Sequence, residues 1–466
     1  MTGPRSDDPA GSSGGETATP ATAVFVCAWS AAIVVHRLAF AETLATPIGA
    51  LSALTAVLAA LAPGSARRFA VALVATLAVT LPRLPDVPNH FVFEALVDVG
   101  MLVVLAPAVF RGGPPTARVM AIVRPALVAL YGWATVHKLN TDFLNPEVSC
   151  ATRFVDALRA AIWQVPAATL VHASVPWLTL FVEAVIPIGL VVRRLRWIAV
   201  LVGGAFHLLL IPYANSGVYS FSAAMFAAYC AFLPPRWTAA VSRVGALSSD
   251  TRGSTRARLL VTVACVLAAT ALAASGHPRW VARVGRASVF VAAAVVWVAV
   301  SRAALRFRRD GGPSALPEGA PAAVVLALVV ANGSLPYFGV KTEGAFAMFS
   351  NLRTEMNGNH LFLPTWNLGF GQGPFVYVES ASEPAVAEEI TAPGVLVPRY
   401  ELQRRLAEVD RPVRVTYLDE RGVRHVIDEA AGIGLDDPAR QVPSWLARKI
   451  VRFRPFEPSG PMSCRH

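Results

Sequence analysis

"YGWATVHKLNTDF", residues 131–143, closes an apolar run that begins at Arg118 and sets Lys138 where that run gives way to polar chain. The run, 118–137, has the length and character of a bilayer-crossing helix, which needs about 20 mostly apolar residues at a rise of 1.5 Å each. Reading outward, runs of the same kind recur near 21–40, 46–62, 69–81, 91–110, 168–192, 197–213, 218–233, 258–275, 284–301 and 320–334. Clusters such as "APGSARR", "RGGPPTAR" and "RRDGGPSALPEG" punctuate them, as turn-forming Pro and Gly do. The pattern predicts an all-α polytopic membrane bundle of about 11 spans over residues 21–334, the third and last of them short. A mean hydropathy of +0.51 and 15% charged residues, against roughly 25% in soluble domains, exclude an ordinary soluble protein.

Residues 1–20 are polar and rich in Gly, Ser and Thr, which predicts a disordered tail. The first apolar run lacks a basic start and a cleavage site, so it reads as an anchor helix rather than a removed leader. Residues 335–466 differ in kind. "PFVYVES" and "VRVTYLDERGVRHVI" alternate like strands, the second with a turn at "DERG", and "VPRYELQRRLAEV" is helix-like. They predict a small extramembrane α+β module.

The net charge of +11 does not indicate nucleic-acid binding, because of where it lies. Residues 1–334 carry 26 Lys and Arg against 14 Asp and Glu, whereas 335–466 carry 15 against 16. Alternate loops hold 16 arginines and the opposite loops 6, the bias that orients membrane proteins. It predicts a cell-membrane, multi-pass protein with a cytoplasmic N-terminus. With an odd number of spans, the C-terminal module is extracytoplasmic. None of the five cysteines forms a C-x-x-C pair, and no metal site is expected.

Polar residues inside apolar runs are costly, and they single out three clusters. The chain has three lysines, Lys138, Lys341 and Lys449, among 41 basic residues. Arginine anchors a helix as well as lysine does, but only lysine offers a removable proton. Tyr131 and Thr135 share a helical stripe with Lys138, while His137 points elsewhere. The residue is either an interfacial anchor or a base. In "VPNHFVFEALVDVG", Asn89 and His90 open a span and Glu94 and Asp98 follow His90 on one face. They serve either helix packing or proton traffic and tuning of the lysine. In "GGAFHLLLIPYANSGVYSF", His207 lies mid-span, and Glu183 in "LFVEAVIPIG" is a further intramembrane carboxylate, suited to pair an arginine or histidine.

Taken together, these segments resemble the HTTM (horizontally transferred transmembrane) domain shared with vitamin K-dependent gamma-carboxylases. The likeness rests on "YGWATVHKLNTDF", on "PNHFVFEALV", on "FHLLLIPYANSGVYSFSAAMFAAYCAFLPP" and on "TEGAFAMFSNLRTEMNGNHLFLP", and covers roughly residues 20–365. In the carboxylases the lysine matching Lys138 deprotonates a reduced quinone, which reacts with oxygen. The strong base so formed takes a γ-proton from a protein glutamate, and carbon dioxide adds. The resemblance therefore implies a quinone-linked, carboxylase- or oxygenase-type membrane enzyme. Its base is Lys138, with catalytic help from His90, and Asn89, His90 and Tyr131 lie at a quinol of the vitamin K or menaquinol type. Its partners are the lipid bilayer, the quinone and a peptide or small-molecule substrate. Glu94, Asp98, His137, Glu183 and His207 give polar support. His137 stands where the carboxylases have a second lysine, and "VVLAPAVFRGG" lacks the family's polar residues before Arg111. The C-terminal module is also far smaller. The competing reading is a non-enzymatic transporter or assembly factor. Cys150 and Cys464 fall on the same expected side. They are either a disulfide tether or two free thiols, with free thiols preferred.

Overall fold

The computed structural model describes residues 18–159, 169–213, 215–246, 265, 268–310 and 312–465. Most of the expected tail, and half of the run at 258–275, lie outside the described residues. The chain opens as α1 (Pro20–Ala39), α2 (Ala41–Leu44), α3 (Pro47–Leu61) and α4 (Ala66–Thr80). It continues with α5 (Asn89–Arg111), α6 (Arg118–His137), α7 (Thr141–Leu144), α8 (Cys150–Leu158) and α9 (Thr169–Val191). Then come α10 (Arg196–Leu210), α11 (Ser216–Tyr229), α12 (Pro235–Ala246), α13 (Pro278–Arg306) and α14 (Ala320–Ser334). Their starts are written in the sequence. Thr19, Thr46 and Ser65 cap α1, α3 and α4 with their hydroxyls, and proline fills the first turn of α1 and α3, where no backbone donor is lost. α5 stops at Gly112, whose left-handed φ of 74° is the conformation glycine adopts most cheaply at a helix end.

Among the described residues, six helices are long and apolar enough to cross a membrane and three more are apolar but shorter. The expected count of about 11 spans is not reached among these residues, which leave out half of the run at 258–275. Hydropathy finds apolar runs, but caps and prolines set how long each helix is. α3, α4 and α10 have 15 residues each and α11 has 14, about 22 Å of helix where a full crossing needs about 30 Å. The buried core joins Phe25, Phe69, Phe93, Leu127 and Phe232 from α1, α4, α5, α6 and the turn after α11. Val71, Val103, Trp177, Phe181, Ile188 and Val291 face outward, an apolar belt far beyond what a water-soluble monomer exposes. The protein is a multi-pass helical membrane protein.

The loops segregate to two ends. At one end Arg67 donates to the carbonyl of Val109, Arg193 to that of Gly312, and Arg124 pairs with Glu318 at 3.0 Å. The other end carries residues 81–90 and 138–150 and receives the C-terminal module. The module is an antiparallel sheet of order β2-β1-β3-β4, with β1 Phe375–Ala381, β2 Val397–Pro398, β3 Arg414–Leu418 and β4 Arg424–Asp428. β3 and β4 are joined at the expected turn, where Asp419 accepts from the backbone of Arg421 and Val423. Two short helices, α15 (Pro384–Ala387) and α16 (Arg399–Leu406), help close its core around Val378, Val415, Tyr417 and Ile427. Arg404 reaches Asp86 of the bundle at 2.9 Å, and Lys449 donates to the carbonyl of Pro82 at 2.6 Å. Cys150 and Cys464 are disulfide-bonded across 314 residues, against the preference for free thiols.

Candidate functional site

α6 is buried along most of its length and delivers Lys138, its C-terminal cap, to a cavity of about 750 Å³. The cavity lies between α5, α6, α8, α9, α10 and α11, under residues 343–349 and 452–465. One part of its wall is apolar, with Leu130, Val182 and Phe206. Leu178 and Leu209 also line it, yet each is 60% exposed on the outer belt. The cavity therefore opens sideways, toward lipid, between α9 and α10. The opposite part holds Asn89, His90, Lys138 and Glu183, with Asp86, Arg452 and Arg454 from its roof.

Lys138 Nζ stands 2.9 Å from Glu183 Oε2, both side chains nearly buried. The two atoms meet without the alignment of a hydrogen bond. The amine instead donates to the carbonyls of Met348 at 3.2 Å and Ala134 at 3.5 Å, with Phe143 5.7 Å below it. Glu183 thus pairs a lysine, not the arginine or histidine expected. Removing one member of such a buried pair leaves the other charge bare and costs about 3–5 kcal/mol. The loop supplying Met348 is itself strained. Phe346, Phe349 and Asn351 take left-handed backbone with φ of 66°, 48° and 52°, conformations that non-glycine residues hold only when their surroundings insist. Asn89 is one such constraint, its Oδ1 accepting from the backbone N–H of Phe346 at 2.8 Å. Asn351 is another, since its side chain binds the backbone of Val148, Cys150 and Met462. Lys341, beside this loop and buried, has its amine pulled down to about 8 by burial, with Glu343 pulling the other way.

Tyr131 lines the same cavity but turns its hydroxyl inward, 2.5 Å from His207 Nε2 and 2.6 Å from Tyr229 Oη. His207 Nδ1 lies 3.2 Å from Ser222. Gly203 makes room for this triad, because a β-carbon there would collide with the Tyr229 hydroxyl. His137 faces away from the cavity as expected. It stacks on Trp133 and lies 2.9 Å from the carbonyl of Gly333, which makes it a packing residue.

Glu94 and Asp98 do not serve Lys138. Both turn toward α1, where Trp29 donates to Asp98 at 3.0 Å and His36 Nε2 lies 2.8 Å from Glu94. His36 continues through Ser220, at 2.6 Å, to His90, at 2.9 Å. His36, Ser220, Tyr229 and Met348 carry no signal in the sequence that sets them apart. His36 and Arg37 end the first apolar run and look like a polar flank, yet both are buried. Set against known protein families, curated proteins and solved structures, the chain matches none of them.

Proposed function

We propose that the protein is a membrane enzyme of the HTTM type that uses Lys138 to take a proton from a lipid-soluble quinol. The observation that carries this reading is the buried Lys138–Glu183 pair in the wall of a cavity open to lipid. An amphiphile with an apolar tail and a polar ring suits such a cavity, its tail leaving past Leu178 and Leu209 and its ring meeting the polar wall. A quinol of the vitamin K or menaquinol type supplies, when bound, an ionisable hydroxyl and two electrons. With the pair's proton resting on Glu183, Lys138 Nζ is a neutral amine and accepts the hydroxyl proton. Asn89 and His90 orient the ring, and Asn89 also keeps residues 346–348 folded over the amine. The module covers the site on the extracytoplasmic side and excludes water. Arg452 and Arg454 in the roof are paired with Asp86 and Glu343, and an anionic second substrate, the class to which a carboxylase acceptor belongs, would compete for those pairs.

The test is oxygen uptake by the purified protein in nanodiscs with a reduced menaquinone. Wild type is expected to turn over and to retain extractable quinone, while Lys138→Arg keeps the charge and loses turnover. Full activity in Lys138→Arg would make the lysine an anchor. Substrate flux into liposomes without any chemical turnover would point to a transporter instead.

A further inference from the structure

We infer that His36, His90 and Glu94 form a binding site for one divalent first-row transition-metal cation, set behind the cavity wall between α1, α5 and α11. The inference does not depend on the quinol reading. The three residues each offer one ligand atom, and these atoms lie within 4.8 Å of one another. All three are buried.

Three observations point to a cation rather than to a closed hydrogen-bond network. First, the cluster is under-satisfied. His36 Nε2, Glu94 Oε1 and Asp98 Oδ2 are buried without a hydrogen-bond partner. Burying such an atom without a partner is unfavourable. An imidazole lone pair and a carboxylate oxygen at 2.8 Å also repel unless a proton or a cation lies near both. Second, the imidazoles are already oriented from behind. Ser220 Oγ lies 2.6 Å from His36 Nδ1 and 2.9 Å from His90 Nε2. If it accepts from both rings, it fixes their tautomers and leaves His36 Nε2, which faces Glu94, and His90 Nδ1 free of protons, as ligating histidines require. Third, the site has an entrance: His90 also lines the cavity, which gives the ion a way in.

The donor set chooses the metal class. Two imidazoles and one carboxylate suit Zn²⁺, Fe²⁺, Co²⁺ or Mn²⁺, whereas Ca²⁺ and Mg²⁺ prefer all-oxygen shells. With three protein ligands, coordination positions stay open toward the cavity.

The experiment uses Co²⁺ as the probe. The full chain, purified in detergent and stripped with chelator, is titrated with Co²⁺ while visible absorption is followed. Binding of one equivalent is expected, with X-ray absorption giving nitrogen and oxygen ligands at about 2.0–2.2 Å and the outer scattering of two imidazoles. Glu94→Gln and His36→Gln should each weaken uptake at least 100-fold, while His277→Gln, an exposed histidine, should titrate as wild type does. The X-ray measurement needs no variant, so a misfolded mutant cannot rescue or sink the idea. Wild type that takes up no Co²⁺, or binds it without imidazole scattering, overturns the inference. So does equal uptake by a folded Glu94→Gln protein.

Discussion

Two buried ionic clusters in this molecule are built on opposite plans. In the module, Glu401 is fully buried and both its oxygens are used, by Arg404, by Arg405 and by the backbone N–H of Phe453. Arg404 is in turn held by Asp86 and Glu408. At the cavity, Glu183 meets Lys138 off the hydrogen-bond axis, and Glu94 keeps an oxygen with no donor at all. A saturated network has one arrangement and resists change. An unsaturated one leaves atoms ready for a proton, a ligand or an ion. The comparison suggests reading the first as structure and the second as chemistry, and four outcomes would break or sharpen it.

The largest effect is expected from Lys138→Arg, which should lower quinol-dependent oxygen uptake by roughly 10²–10⁴-fold, the usual contribution of a positioned base. Its melting temperature should stay near that of wild type; a collapse in stability with normal turnover would reverse the assignment. Glu401→Gln should do the opposite. It takes the carboxylate from Arg405 and leaves Arg404 with Asp86 and Glu408 alone, and should cost about 3–5 kcal/mol, read as early loss of protease resistance in the module. Third, Cys150→Ala removes the cross-link between the end of the bundle under the module and the module's last residues. A loss of about 2–4 kcal/mol is expected. Unreduced wild type cut between residues 150 and 464 should stay in one piece on a gel, and the variant should separate. The smallest effect concerns Lys341, an ammonium the fold disfavours. Its amine sits at about 8 in the folded chain against an ordinary 10.5, so the unfolded chain binds more protons between those values. Stability should therefore rise as pH climbs from 8 to 10.5, with the penalty fully present below 8. Thermal melts of Lys341→Met across that range should lack the rise.

Much of this was legible in the chain. Apolar runs punctuated by Pro and Gly clusters located the helices, and "DERG" located the hairpin turn, because both signals are local. Lys138 stood out because lysine is rare here, and Glu183 because a carboxylate in an apolar run has few innocent explanations. What stayed hidden was non-local. Hydropathy finds an apolar run but does not set the length of the helix it forms. The Cys150–Cys464 bond joins residues whose nearness exists only after the module has docked. His36 is hidden because the end of a run reads as interface, and only the packing of α5 and α11 on α1 turns that flank into an interior.

The side opening past Leu178 and Leu209 carries a consequence for kinetics. A ligand that enters from between α9 and α10 is drawn from the bilayer, so its effective concentration is a mole fraction of lipid rather than a molarity in water. Diluting the membrane with inert lipid should slow turnover at constant total ligand, whereas diluting the whole suspension with buffer should leave turnover per protein unchanged. Selectivity is then divided between two solvents: the membrane decides what arrives, and the polar wall decides what stays.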